Sequence, residues 1–151
     1  MKWLWVILLA MMPISELRGA IPLAFKYGLN PYLAIPAIII ANFIPVPLIL
    51  LFLQPVEKWL RKWKFWNSLF DKIFEHTRKK TRKSIEKWES LALIIFVAVP
   101  LPVTGAWTGS LAAYLFGLEF KKSLICIFIG ICIACLIVTT VTAMGIKLLG
   151  V

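Results

Sequence analysis

The chain has 151 residues, 61% of them apolar and 16% charged, with a mean hydropathy of +0.89 and a formal net charge of +10. A soluble domain is about 45–50% apolar and about 25% charged, so this much apolar surface cannot be hidden in so small a core and must face lipid. The charge is not a nucleic-acid signature either: residues 57–90 hold 11 of the 17 Lys and Arg and 5 of the 7 acids, while the other 117 residues carry only 6 bases and 2 acids. The composition is that of a membrane protein with one basic linker.

In chain order, residues 3–12 (WLWVILLAMM) form an apolar run of about ten residues, too short to cross a bilayer. It runs into Pro13-Ile14-Ser15. Proline disfavours helix in the residue before it and serine is a good N-cap, so one helix is expected to stop here and another to start. A second short segment, 16–28, follows, with Pro22 as a further expected helix break. Residues 31–53 are uncharged for 23 residues, enough to span about 30 Å of hydrocarbon. Pro31, Pro36, Pro45 and Pro47 predict a kink in that span, and Asn42 sits near its middle.

The linker, 55–90, has helical periodicity. Val56, Trp59, Leu60, Trp63, Trp66, Leu69, Phe70, Ile73 and Phe74 share one face, opposite Lys58, Arg61, Lys62, Lys64, Asn67, Asp71, Lys72 and Glu75. A basic amphipathic helix of this kind lies on a membrane surface. The cluster Arg78, Lys79, Lys80, Arg82 and Lys83 is expected to attract anionic lipid headgroups, at about 1 kcal/mol per basic residue near the surface. The second half begins with 91–100 (LALIIFVAVP), again about ten residues, running through Pro100 into Pro102-Val103-Thr104. The segment 105–118 is the second limb, and 123–146 is an uncharged span.

Two short helices joined by a break within a bilayer make a re-entrant hairpin, tolerated where protein or water covers the free backbone groups. The expected fold is therefore all-α: hairpin 1–29 and span 31–53, the linker, then hairpin 91–118 and span 123–146. A shift of 89 residues lays 13–29 over 102–118 with identities at Pro13/Pro102, Ala24/Ala113, Gly28/Gly117 and Leu29/Leu118. One full span separates the copies, so the second is inverted, and the excess of Lys and Arg places 57–90 in the cytoplasm of a cell-membrane protein. A rival with four plain spans (1–28, 31–53, 91–118, 121–146) leaves the charge count unchanged. It strings Glu16 and Arg18 through mid-span, at about 2.5–3.5 kcal/mol each on insertion scales, and does not account for the paired breaks. A cleaved signal peptide would need a cut just before Pro22 and would remove half of the first repeat.

Enzyme chemistry is not expected. His76 stands in the linker without an acid or cysteine motif. Cys126, Cys132 and Cys135 lie in an uncharged span, where Cys132 and Cys135 lack the further ligands and polar surroundings of a metal site. No metal or other cofactor is implied. The hairpin tips remain. Glu16 and Arg18 are the only charges between Lys2 and Lys26, and ionisable groups at such a break mark an ion or substrate pathway. Helices starting near Ser15 and Thr104 expose amide N–H groups and the positive end of the helix dipole. Together with Arg18 they suit a phosphate or carboxylate. Glu16, partly desolvated, is the candidate for carrying a coupling proton. Gly105, Trp107 and Thr108 complete the expected substrate site. Gly105 and Gly109 permit close helix contact, and Trp107 either caps a substrate cavity or anchors the interface.

ISELRGAIP (14–22) and PLPVTGAWTGSLAA (100–113) resemble the two signature segments of the small multidrug export proteins, a prokaryotic membrane family related more distantly to the DedA/VTT superfamily. The resemblance implies an inverted pair of re-entrant hairpins and a role in transport. In the wider superfamily that role is proton-linked flipping of anionic lipids such as polyprenyl phosphates, with Glu16 at the position of the acidic residue of the first hairpin. The chain departs from that superfamily in having no arginine around the second hairpin, where Trp107 aligns with Arg18. Three functions are in view: a transporter or flippase for an anionic amphipath such as a lipid phosphate; an exporter of cationic amphipathic drugs, with Glu16 as counter-charge; and a non-transporting membrane organiser that binds lipid. Two full spans are few for a transporter, so a homodimer is expected, with membrane lipids and protons as the other partners.

Overall fold

A computed structural model describes residues 1–60, 62, 83–101 and 104–149, and the described residues form helices and connecting turns. Helix α1 (Lys2–Met11) is followed by a four-residue turn and α2 (Glu16–Lys26). The first stop follows from the chain: Met12, held before Pro13, takes extended angles (φ −73, ψ 138), and its N–H closes onto the Leu9 carbonyl at 3.3 Å. The two helices lie side by side and antiparallel, since the Lys2 ammonium at the start of α1 sits 5.8 Å from the Tyr27 ring centroid and 3.5 Å from its carbonyl oxygen.

Asn30 and Pro31 then start α3 (Pro31–Phe43). The Asn30 side chain accepts from the Tyr32 N–H at 3.0 Å, and proline at the first helical position gives up an N–H that would be unpaired anyway. Helix α4 (Pro45–Leu60) continues it across Ile44, whose angles stay helical (φ −52, ψ −44). The interruption is thus a gap in hydrogen bonding left by Pro45 and Pro47, which have no N–H, and not a turn. Pro31–Trp59 is one candidate membrane span of 29 residues, about 42 Å long at 1.5 Å per residue, close to a bilayer with its headgroup regions. Helices α5 (Lys83–Ala98), α6 (Ala106–Leu115) and α7 (Phe120–Leu149) make up the second half, and Phe120–Leu148 is the other candidate span. The described residues are all-helical, with two helices long and apolar enough to cross a membrane.

Packing in the second half reiterates that of the first. Helices α1 and α2 contact each other and α3, and α5 and α6 contact each other and α7; across the halves α2 packs on α7, α6 on α4 and α3 on α7. Small side chains let these helices approach closely. Ala10, Ala20, Ala24, Ala34, Ala41, Ala106, Ala113 and Ala134 are all buried. A Cβ on Gly130 of α7 would stand 2.6 Å from the Val97 Cβ, so α5 can lie against α7 only because that position is glycine. Phe43 and Phe128 meet edge to face at 5.2 Å and tie α3 to α7. Large apolar side chains such as Leu48, Leu51, Phe52, Ile125 and Leu136 point outward, as expected where the solvent is lipid.

The C-terminal caps of the two short second limbs match at the 89-residue offset. Gly28 and Gly117 both adopt the left-handed conformation (φ 65 and 71). Gly28 N–H bonds the Phe25 carbonyl (2.9 Å) and Leu29 N–H that of Ala24 (3.0 Å), as Gly117 does with Tyr114 (3.0 Å) and Leu118 with Ala113 (3.1 Å). These are the glycine caps by which helices close their last carbonyls.

Several expectations are corrected. Pro22 does not break α2, which runs through it; the lost N–H removes one bond, while Ala20, Ile21 and Ala24 hold the helix by burial. The limb before the second break is 16 residues long and not about ten, because α5 begins at Lys83 in the charged segment. Val56 and Trp59 belong to α4, which runs on through Pro55, so the start of the amphipathic stretch is fused to the span. Residues 63–82, with Arg78, Lys79, Lys80 and Arg82 of the basic cluster, lie outside the described residues, as does Pro102. Pro100 stands in the break that follows α5.

Candidate functional site

The turn 12–15 and the break 99–105 meet, and the polar residues of the two tips bind one another. Glu16 opens α2 with a positive φ of 46, an unusual conformation for a residue with a side chain. Its carboxylate is buried, only 5% exposed, and crosses to the start of α6. There Oε2 accepts from the Ala106 N–H at 3.2 Å and Oε1 from the Trp107 N–H at 3.3 Å. These two amides are among the four that an α-helix cannot pair internally, and a carboxylate also lies favourably at the positive end of the helix dipole.

The N-cap position of α6 is Gly105, not Thr104. Gly105 leaves room for this contact: a Cβ there would overlap the Glu16 carboxylate, which would have to move. Thr104 instead ties the break together. Its hydroxyl donates to the Val99 carbonyl at 2.5 Å and accepts from the Leu101 N–H at 3.1 Å. Arg18 also reaches it, Nη2 donating to the Thr104 carbonyl and, at 3.0 Å, to Oγ1. Glu16 and Arg18, two residues apart, bind the opposite hairpin and form no ion pair with each other.

Trp107 reciprocates. Its indole Nε1–H donates to the Met11 carbonyl at 3.1 Å, closing one of the free carbonyls at the end of α1. Arg18 and Trp107, which the 89-residue offset aligns, therefore each reach across to a backbone carbonyl of the other tip. Ser15 occupies the N-cap position of α2, yet its side chain caps nothing. Its hydroxyl lies over Gly19, where a Cβ would overlap it. Thr108 carries a buried hydroxyl with no partner among the described residues. Ser110, two residues on, returns its hydroxyl to the Ala106 carbonyl at 2.7 Å; the equivalent acceptor for Thr108 is the Thr104 carbonyl, which Arg18 engages.

The structure thus brings Glu16, Arg18, Thr104, Gly105 and Trp107 into one contact, with Ser15 and Thr108 flanking it. Sequence reasoning missed the partners that are backbone: the Ala106 and Trp107 amides and the Met11 carbonyl. It also missed the bond from the Tyr114 hydroxyl at the end of α6 to the Glu57 carboxylate near the end of α4. No sequence motif marks a carbonyl or an amide, so only the crossing of the tips reveals them. The depth of the contact follows from helix rise: eleven residues separate Glu16 from Tyr27 and eight separate Ala106 from Tyr114, about 16 and 12 Å. Among the described residues no group of three or more His, Cys, Asp or Glu could hold a metal, and Cys126, Cys132 and Cys135 are free thiols.

Among known families, the one described as "Putative small multi-drug export protein" matches residues 16–137, about four-fifths of the chain, from Glu16 through the second tip. No curated protein and no solved structure matches. A family match of this extent, over two long apolar helices, makes this chain a member of the small multi-drug export protein family.

Proposed function

We propose that the protein is a small transporter that moves an anionic amphipathic molecule, a lipid phosphate in class, across the cell membrane. In this reading the halves are an inverted repeat, and their hairpins enter the bilayer from opposite faces and meet near its midplane. The supporting contacts are those at the two ends of the bundle: Lys2 with Tyr27 where the first hairpin opens, and Tyr114 with Glu57 where the second one does. Alternating access then consists of breaking and remaking the tip contact, a form of transport known for discontinuous helices at a midplane site.

The observation that carries the choice of an anion is the imbalance at the tips. The negative charge of Glu16 is met by two amides of a helix N-terminus, whereas Arg18, besides a through-space attraction to Glu16, hydrogen-bonds only the oxygens of Thr104 among the described residues. A guanidinium has five N–H donors, and Thr104 engages one nitrogen. The remainder are free to bind phosphate or carboxylate oxygens, the pairing for which arginine is best suited. Glu16 is the proton-coupling group, discharged when it leaves the α6 amides. The linker lies on the cytoplasmic face, where Arg78, Lys79, Lys80, Arg82 and Lys83 gather anionic headgroups, and a second copy of the chain completes the transporter. The wider kinship with DedA/VTT proteins belongs to this same reading.

A second reading, export of cationic amphipathic drugs, is favoured by the description of the family. Reconstitution in vesicles separates the two. Loss of flipping of a fluorescent phosphatidylglycerol in Arg18→Ala and Glu16→Gln, with normal folding, supports the anionic substrate. Loss of ethidium efflux in Glu16→Gln alone supports the cationic one. Unchanged activity in both variants refutes the site.

A further inference from the structure

Asn42 is a buried polar residue of the first span that the tip contact leaves unexplained. It is fully buried at 0% exposure, and neither its carboxamide oxygen nor its nitrogen has a partner among the described residues. A buried carboxamide without partners costs about 1–3 kcal/mol by protein mutational data. A native protein normally satisfies such a group or uses it. In this closed conformation Asn42 is wholly covered within one copy of the chain, so neither the surrounding bilayer nor a second copy reaches it.

Its position says what it serves. Helices α2 and α3 are joined by the short connection around Gly28 and pack together. Asn42 is eleven residues beyond Pro31, and Glu16 is eleven residues before Tyr27. At 1.5 Å per residue both stand about 16 Å from that connection, at one level. On α2 the buried stripe comprises Glu16, Leu17, Ala20, Ile21 and Ala24; on α3 it comprises Ala34, Ile38, Ala41 and Asn42. Each stripe ends at this level in a polar residue. The orphaned Thr108 hydroxyl lies two residues past the Ala106 amide that Glu16 engages, so a second unsatisfied group occurs at nearly the same depth.

We infer that Asn42 belongs to the transport site and binds a neutral group of the substrate that both donates and accepts, a hydroxyl in the simplest case. This rests on the transport reading above and deepens it. Arg18 takes the phosphate, and Asn42 takes an alcohol substituent carried on it. The substrate class is therefore a hydroxyl-bearing phosphodiester and not a bare phosphate monoester. An Asn oxygen accepts from the hydroxyl while its NH2 donates to a neighbouring oxygen, which satisfies both orphaned atoms at once.

The test compares two fluorescent lipids in vesicles holding the reconstituted protein: phosphatidylglycerol, whose headgroup carries two hydroxyls, and phosphatidic acid, which has none. The wild type is expected to move phosphatidylglycerol about tenfold faster, the effect of one well-made hydrogen bond. Asn42→Leu, which keeps the branched skeleton of asparagine without its polar atoms, is expected to move both lipids equally. Asn42→Ser, which keeps a donor and an acceptor, should retain part of the preference and guards against misfolding of the leucine variant. Wild-type protein that moves both lipids at the same rate overturns the inference alone. So does an Asn42→Leu variant that keeps the preference, as it would if the carboxamide held only structural water. Wild-type protein that moves neither lipid overturns the transport reading and this inference together.

Discussion

The carboxylate that bridges the two tips is the most informative group to alter, and Glu16→Gln alters it without changing its size. In the native contact each oxygen accepts one amide N–H of α6, at 3.2 and 3.3 Å. Glutamine keeps one acceptor but turns an NH2 toward the other amide, so one charge-assisted bond is lost and a buried N–H is left unpaired. Hydrogen bonds to charged groups contribute about 1.5–3 kcal/mol each, and the carboxylate–dipole attraction at the α6 N-terminus adds about 0.3–1 kcal/mol. The substitution should therefore cost about 2–4 kcal/mol. For a chain of this size 1 kcal/mol moves the melting temperature by about 2–4 °C, so the expected drop is about 4–16 °C. Thermal unfolding of the purified protein in a mild detergent reads it directly. The positive φ of Glu16 is common to both proteins and drops out of the difference. A glutamine variant as stable as the wild type would show that the carboxylate does not hold the tips together and would refute the reasoning.

Trp107→Phe replaces the indole by a smaller aromatic ring and removes the donor to the Met11 carbonyl, so a loss of at least about 0.5–1.5 kcal/mol is expected in the same melting experiment. Gly28→Ala meets no atom within 4 Å of its new Cβ, so its cost is backbone strain alone, about 1–2 kcal/mol for the left-handed conformation; Gly28→Asn should cost less. Lys121→Cys in a Cys-free background should be labelled only from the side of the linker, because the end of α6 is bonded to the end of α4 through Tyr114 and Glu57. Labelling from the opposite face would refute the second hairpin.

The breaks at Pro13 and Pro100 and the uncharged spans were legible because they depend on neighbours in the chain. A residue before proline is biased away from helical angles, and an uncharged run of more than twenty apolar residues is the pattern of a helix that crosses lipid. The same local logic failed at Pro22, where packing outweighs one missing hydrogen bond, and at Thr104, where the cap moved to the neighbouring glycine. Lys83 begins α5 inside a charged segment because a helix can run out of the apolar layer without stopping.

The very apolar composition and the two charges lodged in it at Glu16 and Arg18 were evident from the amino acids alone, as were the identities Pro13/Pro102 and Gly28/Gly117 at an 89-residue offset. What those charges bind was decided only by the tertiary structure. Glu16 and Arg18 sit two residues apart, yet each is held from the other half of the chain, Glu16 by two backbone amides and Arg18 by the carbonyl and hydroxyl of Thr104. Side-chain chemistry is written in the order of residues; the pairing of backbone groups depends on which helix ends are brought together. That is set by the packing of small residues along α2, α3, α6 and α7, and the polar contact at the tips exists because that packing brings them within reach.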